Sequence, residues 1–379
     1  MAVPSVRIAS GVAAIAPADW DRWAGDNVLL SHAFLSALEE SGSATAQTGW
    51  QPTPLILEGV DGEPAGAMPA YLKSHSQGEY VFDHGWAQAW ERAGGRYYPK
   101  LQIAVPFTPV TGPRLLAPTA DARRLLIKGA EALVVQHKLS SAHATFLTDA
   151  DRLLFEESGW LIRYDHQFHW TNRGYGSFDD FLADLSSRKR KAIRKEREQA
   201  LSGLEVRHLT GTDIDEAAWD AFWVFYQDTG ARKWGRPYLT RSFFSLLGER
   251  LADRVLLIMA YRNGRPVAGA LNLIGSDALF GRYWGATETI PFLHFEICYY
   301  QAIDFAIARK LDRVEAGAQG EHKLARGYAP VRTASAHFVP HQGFRDALEE
   351  FLAAEERAVA QEGEILAGYV PFRQRDSDS

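Results

Sequence analysis

Leu55-Ile56-Leu57-Glu58-Gly59-Val60-Asp61-Gly62-Glu63-Pro64-Ala65-Gly66-Ala67 is echoed in the second half of the chain by Leu257-Ile258-Met259-Ala260-Tyr261-Arg262-Asn263-Gly264-Arg265-Pro266-Val267-Ala268-Gly269-Ala270, the copies differing by one inserted residue. Each copy is an apolar run, an Asp-Gly or Asn-Gly pair and a second apolar run. Those dipeptides tolerate the positive φ that tight hairpin turns demand, so each copy predicts a β-hairpin. Two homologous halves follow from the repeat.

The echo continues beyond the hairpins. An aromatic strand is predicted over Tyr80 to Trp86 and again over Leu279 to Trp284. A helix follows in each half, at Asp121 to Lys138 and at Phe295 to Lys310, with apolar residues three and four apart. A closing strand comes next, at Ala142 to Leu147 and at Arg313 to Ala316. The order hairpin, strand, helix, strand, given twice, predicts an α/β (α+β) chain of mixed sheets flanked by helices. Further helices are expected at Ala33 to Ser41, Phe178 to Ala200, Asp215 to Asp228, Arg241 to Leu251 and Phe344 to Glu362. Trp160-Leu161-Ile162-Arg163 is read as the end of one sheet and Phe168-His169-Trp170 as the start of the next, which divides the chain into domains 1–165 and 166–379.

With 379 residues, 46% hydrophobic and 23% charged, the chain has apolar material for two medium cores. No stretch approaches the roughly 20 apolar residues that span a bilayer, and Met1 to Ser10 lacks the layout of a signal peptide, so a soluble, cytoplasmic protein without integral membrane association is expected. The single Cys298 excludes an intrachain disulfide and any multi-cysteine zinc cluster. The net charge of −6 hides an asymmetry: Arg188, Lys189, Arg190, Lys191, Arg194, Lys195 and Arg197 crowd one predicted helix at 186–200, beside Glu196 and Glu198. Seven cations around only Ala192 and Ile193 leave that helix nothing to offer a core. Its readings are a solvated face or a contact for an anionic partner.

Hairpin, strand, helix, strand resembles the unit of a GNAT-like acyltransferase, and its duplication resembles the Fem family of aminoacyl transferases. More specific are Asp83-His84-Gly85-Trp86, Tyr97-Tyr98-Pro99-Lys100-Leu101, Pro106-Phe107-Thr108-Pro109, Gly112-Pro113-Arg114, His294-Phe295-Glu296 and Gly317-Ala318-Gln319-Gly320-Glu321-His322-Lys323. Together they resemble the FemAB-like family of N-acyltransferases associated with peptidoglycan biosynthesis or recognition. The likeness runs from Ser31 to Arg357 and implies tandem GNAT-like domains and transfer of an acyl or aminoacyl group to an amine, with a cell-wall precursor as a candidate acceptor. Acetyl-CoA-using GNAT enzymes carry an Arg/Gln-x-x-Gly-x-Gly/Ala loop whose amides hold pyrophosphate. Neither Gln319-Gly320 nor Arg92-Ala93-Gly94-Gly95 has that spacing. The resemblance therefore favours aminoacyl-tRNA over acyl-CoA as donor, with Arg190, Lys191 and Arg194 as the contact to tRNA. Two alternatives stay open: a noncatalytic module recognising peptidoglycan precursors or RNA, and an acetyl-CoA-dependent small-molecule N-acetyltransferase.

Acyl transfer to an amine requires a proton acceptor and stabilisation of a tetrahedral oxyanion. The segment Glu315 to Tyr328 concentrates suitable groups among glycines that admit close ligand approach. Lys323 and Arg326 are expected to bind a phosphate, carboxylate or oxyanion, with Gln319 and Gly320 beside the substrate, and His322 or Glu315 to take the amine proton. Lys323 falls where the resemblance places the lysine of a Fem-type Phe-Lys motif, with His322 replacing the aromatic residue. Glu296, in a first helical turn, serves either as catalytic carboxylate or as a partner of the helix dipole. Cys298, four residues after His294, is read as a core cysteine. Asp83, His84, Trp86, Tyr98 and Lys100 are expected to bind the acceptor, and Tyr283 to line a cleft. His337 and His341 have metal-like spacing, but Pro340 interrupts any shared helix and no metal site is expected.

Overall fold

The computed structural model describes residues 4–233, 237–317 and 320–372. The chain forms two compact units, one of residues 1–165, 238–243 and 332–360 and the other of residues 166–237, 244–331 and 361–379. The first cut falls between Asp165 and His166. Residues 332–360 belong to the first unit, where Ala336–Phe338 pair with Ala142–Ala144.

The strands are β1 (Ser5–Ile8), β2 (Trp50–Pro52), β3 (Leu55–Glu58), β4 (Pro64–Met68), β5 (Ala70–Lys73), β6 (Lys100–Ile103), β7 (Ala142–Ala144), β8 (Leu161–Thr171), β9 (Glu205–Leu209), β10 (Val255–Arg262), β11 (Arg265–Ile274), β12 (Ala278–Ala286), β13 (Arg313–Glu315) and β14 (Ala329–Phe338). In the first unit β1-β3-β4 make a small sheet, and β2-β5-β6-β7-β14 make a larger one. Both predicted hairpins are present, as β3–β4 and β10–β11.

The first hairpin continues in the same register into β2–β5, with Pro52, Pro54 and Pro69 where the ladder changes sheet. Proline has no amide hydrogen to give a ladder, which explains why the first copy is split in two and the second, β10–β11, is not. Helix Ala120–Gln136, capped by Thr119 Oγ1 accepting from the amide of Ala122, packs Leu126, Ile127, Ala130, Leu133 and Val134 against Leu55, Leu57, Met68, Leu101 and Ile103.

Two sequence expectations need correction here. Tyr80 to Trp86 is not a strand: its last residues open the helix His84–Arg92, and the strand that pairs parallel to β7 is β6. The polar side chain of Asp83 goes to the interior, a tertiary demand that strand propensity does not register. Second, Trp160 to Trp170 is not a sheet end followed by a new start, because β8 runs unbroken through it and carries the chain from one unit to the other. The predicted helix Phe178 to Ala200 is likewise two helices, Phe178–Asp184 and Ser187–Leu201.

The second unit is a six-stranded sheet, β8-β13-β12-β11-β10-β9, antiparallel except for the β12–β13 pair. One face packs on the helical segment Leu293–Ala308 through Leu256, Ile258, Ala270, Leu279, Val314, Ile297, Ile303 and Ile307. The other receives helix Glu216–Lys233, which lies so close that a Cβ on Gly285 would sit 2.0 Å from the carbonyl oxygen of Phe225.

Candidate functional site

In the second unit β12 and β13 run parallel only as far as Phe280 opposite Glu315. Beyond that pair β12 continues to Ala286, while the other strand ends and turns away at Gly317 with φ of 80°. The strands part into a cleft of ≈ 110 Å³ lined by residues 270–272 and 281–284, His294, Cys298, Tyr299 and Ala316. A β-bulge sits at its edge: Asn272 faces Gly281 and Leu271 faces Tyr283, leaving Arg282 as the extra residue. Bulges re-aim side chains in this way beside many active sites.

The helical wall of the cleft is not a regular helix. Glu296–Tyr300 form one π turn between Leu293–Phe295 and Gln301–Ala308. That wider turn brings His294, Cys298 and Tyr299 to the same opening. Cys298 is half-buried: it packs against the core and also lines the cleft. Tyr283 lines the opening, its ring 5.2 Å from that of Tyr226.

The glycine-rich segment follows Ala316. Gly320 and Gly327 take φ of 119° and 86°, flanking a 3-10 turn Glu321–Arg326. Gln319 lies outside the described residues. Lys323 is 1% exposed and donates to the carbonyl oxygen of Gly317 at 2.8 Å. Burial, reinforced by the Arg282 guanidinium, brings its amine down to about 7, although Cys298 acts in the opposite direction. His322 is exposed and shares a 2.9 Å hydrogen bond with the hydroxyl of Tyr299. Glu315 is buried; its Oε1 accepts from Arg313 Nε at 2.8 Å and its Oε2 has no hydrogen-bond partner.

Two expected site residues have other duties. Arg326 stacks 3.4 Å above the Phe295 ring, donates to the carbonyl oxygen of His322 at 2.7 Å and to both carboxylate oxygens of Glu196 at 3.0 and 3.1 Å. Its charge is matched inside the fold, not held out for an anion. Glu296 is fully buried and accepts from Arg197 at 3.0 and 3.2 Å and from Gln301 at 2.7 Å. Burial raises its pKa and Arg197 opposes that rise. It fastens the helix Ser187–Leu201 to the π turn instead of facing the cleft.

That basic helix departs from expectation as well. Ile193 and Ala200 are buried, Arg197 reaches Glu296 and Asp304, and Glu196 accepts from Arg326 and Tyr300. A surface of cations remains on the outer side: Arg188, Lys191, Arg194 and Lys195 are exposed, and Lys189 and Arg190 are half-exposed. Arg194 pairs with Asp179 at 2.9 Å.

In the first unit the structure brings Asp83, Trp86, Tyr98 and Lys100 together, but around a buried ionic cluster. Lys100 is fully buried and donates to Asp83 Oδ2, to Glu79 Oε2 at 2.7 Å and to Ser76 Oγ at 2.8 Å. Tyr97 donates its hydroxyl proton to Asp83 Oδ2 at 2.7 Å. Burial works to raise the Asp83 pKa, but the Lys100 ammonium outweighs it and holds the carboxyl below the usual range. Burial pushes Glu79 up to about 7 and Lys73 down to about 7. His143 and His337 share a 2.7 Å Nδ1–Nδ1 hydrogen bond, and the Trp86 ring packs edge-on to His337. His84 is exposed and Tyr98 half-exposed, its hydroxyl 2.8 Å from Ser76 Oγ. An acceptor-binding role for Asp83, Trp86 and Lys100 thus meets side chains already enclosed by the fold. His337 and His341 do not converge, since His341 packs on Trp90 instead, and no metal-binding group of three appears among the described residues.

Sequence reasoning missed Asn272, Arg282 and His169 in the second unit, and Lys73, Glu79 and His143 in the first. The Asn272 position carries a signal in retrospect, a polar residue inside the apolar run Leu271 to Ile274.

No curated protein matches the sequence. Among solved structures, the fold is similar to that of FemX, at 12% identity and a TM-score of 0.56, covering 88% of this chain and 98% of that one. It is also similar to L-PGS from Bacillus licheniformis, at 9% identity and a TM-score of 0.50, covering 89% and 96%. The C-terminal domain (DUF2156) of a putative lysylphosphatidylglycerol synthetase from Agrobacterium fabrum gives 8% identity and a TM-score of 0.50, covering 89% and 96%. No helix among the described residues is long and apolar enough to cross a membrane. Residues 11–374 match the family model for peptidoglycan biosynthesis/recognition, so this α/β chain with its repeated hairpin belongs to the FemAB-like family.

Proposed function

We propose that the protein is an N-acyltransferase that moves an acyl or aminoacyl group from aminoacyl-tRNA to an amine, and that the β12–β13 cleft is where the transfer occurs. The observation that carries this reading is the opening between two parted parallel strands, with the buried Lys323 beside the cleft-lining Arg282 and Cys298. A carbonyl lodged there turns its developing oxyanion toward Lys323, whose desolvated amine interacts far more strongly than a solvated one. Tyr299, joined to His322, supplies a hydroxyl at the cleft wall. The leaving hydroxyl of the donor needs one proton and the amine must lose one, so no covalent enzyme intermediate is required.

The donor assignment is supported by what joins β12 to its helix. Residues 287–292 are Thr-Glu-Thr-Ile-Pro-Phe, without the glycines that let backbone amides cradle a pyrophosphate. The exposed cations of helix Ser187–Leu201 suit a phosphodiester backbone instead, and family membership suggests a cell-wall precursor as acceptor. The test is binding of purified protein to charged tRNA, uncharged tRNA and acetyl-CoA at two salt concentrations, alongside an Arg190, Lys191, Arg194 triple alanine variant. Preference for charged tRNA, lost in the variant, supports the reading; saturable acetyl-CoA binding with no tRNA binding overturns the donor assignment.

A further inference from the structure

The bulge in β12 brings two side chains of opposite character to the same opening. Gly281 and Arg282 together oppose Asn272 of β11, and all three residues line the cleft. Asn272 is 1% exposed, and its Nδ2 donates to the carbonyl oxygens of Leu256 and Ala270, each at 3.4 Å. Only the amide nitrogen can meet two carbonyl acceptors, so the side-chain oxygen is the atom left on the other side. That Oδ1 accepts no hydrogen bond among the described residues. It stands 3.3 Å from where a Cβ on Gly281 would sit, and the glycine there keeps it uncovered.

Arg282 supplies the charge. Beyond it the strand resumes its alternation, with Tyr283 against Tyr226 and the Trp284 ring 5.1 Å from that of His294 on the helical wall. The Arg282 guanidinium is near enough to act on the Lys323 amine. Among the described residues that line the cleft, Arg282 carries the permanent charge and no Asp or Glu occurs. A bare ammonium entering there meets a guanidinium and no counter-ion, whereas a ligand that brings its own carboxylate is matched. The cleft of ≈ 110 Å³ is about four times the volume of one water in the liquid, room for the polar end of an amino acid.

We propose that the acceptor is held through an amine and a carboxylate on the same carbon, the carboxylate on Arg282 and an amine N–H on Asn272 Oδ1. The acceptor class is then an α-amino acid, or a larger molecule that ends in one. This rests on the acyl-transfer reading and names its acceptor. A planar guanidinium matches a carboxylate with two parallel N–H···O bonds, which a lone amine or an amide cannot reproduce. The acyl group of the donor has no use for that contact, since its own carboxyl is already esterified. Fixing the carboxylate leaves the amine at the bulge, in the same cleft as the acyl carbonyl that it attacks.

Saturation-transfer NMR of the full-length protein tests this with the smallest probes that separate the two groups: glycine, glycinamide, acetate and methylamine, with inorganic phosphate as a competitor. Wild type, Arg282→Met and Arg282→Lys are compared, and thermal melts verify folding. Expected is glycine binding to wild type about 10–100-fold tighter than glycinamide, acetate or methylamine. The preference for glycine over glycinamide collapses in Arg282→Met and is partly kept in Arg282→Lys. No saturable glycine binding, equal affinity of wild type for glycine and any of the other three, a preference that survives Arg282→Met, or displacement showing phosphate to bind more tightly than glycine overturns the proposal. The same four probes then serve as acceptors with alanyl-tRNA and acetyl-CoA. Amide formed on methylamine as readily as on glycine removes the proposed acceptor class and leaves acyl transfer standing. Glycine bound in the expected order, with no amide from either donor, supports the recognition and removes the acyl-transfer reading.

Discussion

Replacing Lys323 with Met should make the protein's stability respond differently to pH, by an amount that the structure sets. The unfolded lysine holds its proton to about 10.5, whereas the folded one gives it up near 7. Between those values the unfolded state binds more protons, so stability rises with pH. At ~1.36 kcal/mol per pKa unit the full span corresponds to about 5 kcal/mol. Urea unfolding of wild type and variant at intervals from pH 6 to 10.5 reads this contribution, because titrating groups that do not interact with Lys323 cancel in the difference. Loss of the hydrogen bond to Gly317 shifts the difference by a constant and leaves its slope alone. The wild type should gain on the order of 3–5 kcal/mol relative to Lys323→Met across that range. Parallel stability curves would refute the claim that Lys323 is desolvated in the fold.

Other consequences are equally direct. In the first unit, Lys100→Met leaves Glu79 and Asp83 buried without their shared cation and should cost about 3–5 kcal/mol by denaturant unfolding. Asp83→Asn should remove stability that the wild type has above the ordinary aspartate pKa and loses as pH falls through the depressed folded value; the wild-type advantage over the variant therefore shrinks in acid. Arg197→Met should destabilise by about 3–5 kcal/mol at pH 7, and less at lower pH as Glu296, already raised by burial, becomes protonated. The triple variant of the basic helix should flatten the dependence of log affinity for tRNA on log salt by about 2–3, near 0.7–0.9 for each lost phosphate contact.

What the sequence revealed was its periodic and local content. Asp61-Gly62 and Asn263-Gly264 announce hairpins because their φ requirements are local, and the helix Ala120–Gln136 announces itself by the spacing of Leu126, Ala130 and Leu133. Asp83 was harder to place, since Tyr80 to Phe82 has the aromatic look of a strand while its true partner, Lys100, lies far along the chain. Charge counting treated Arg197 like Arg194, yet only one of them turns inward to Glu296. The cleft depends on a bulge at Arg282 and a π turn at Glu296–Tyr300, and neither has a reliable signature in composition or spacing. Lys323 was legible through a family motif, but the burial that depresses its pKa was not.

Amide formation itself tests the account most directly. Wild type and Lys323→Ala would be incubated with alanyl-tRNA or acetyl-CoA and a panel of peptidoglycan-precursor amines, and the acceptors examined by mass spectrometry. The account predicts an alanylated acceptor from alanyl-tRNA with wild type and none with a Lys323→Ala protein that melts cooperatively. Failure of the wild type to form amide from either donor, or equal product from the variant, would contradict it.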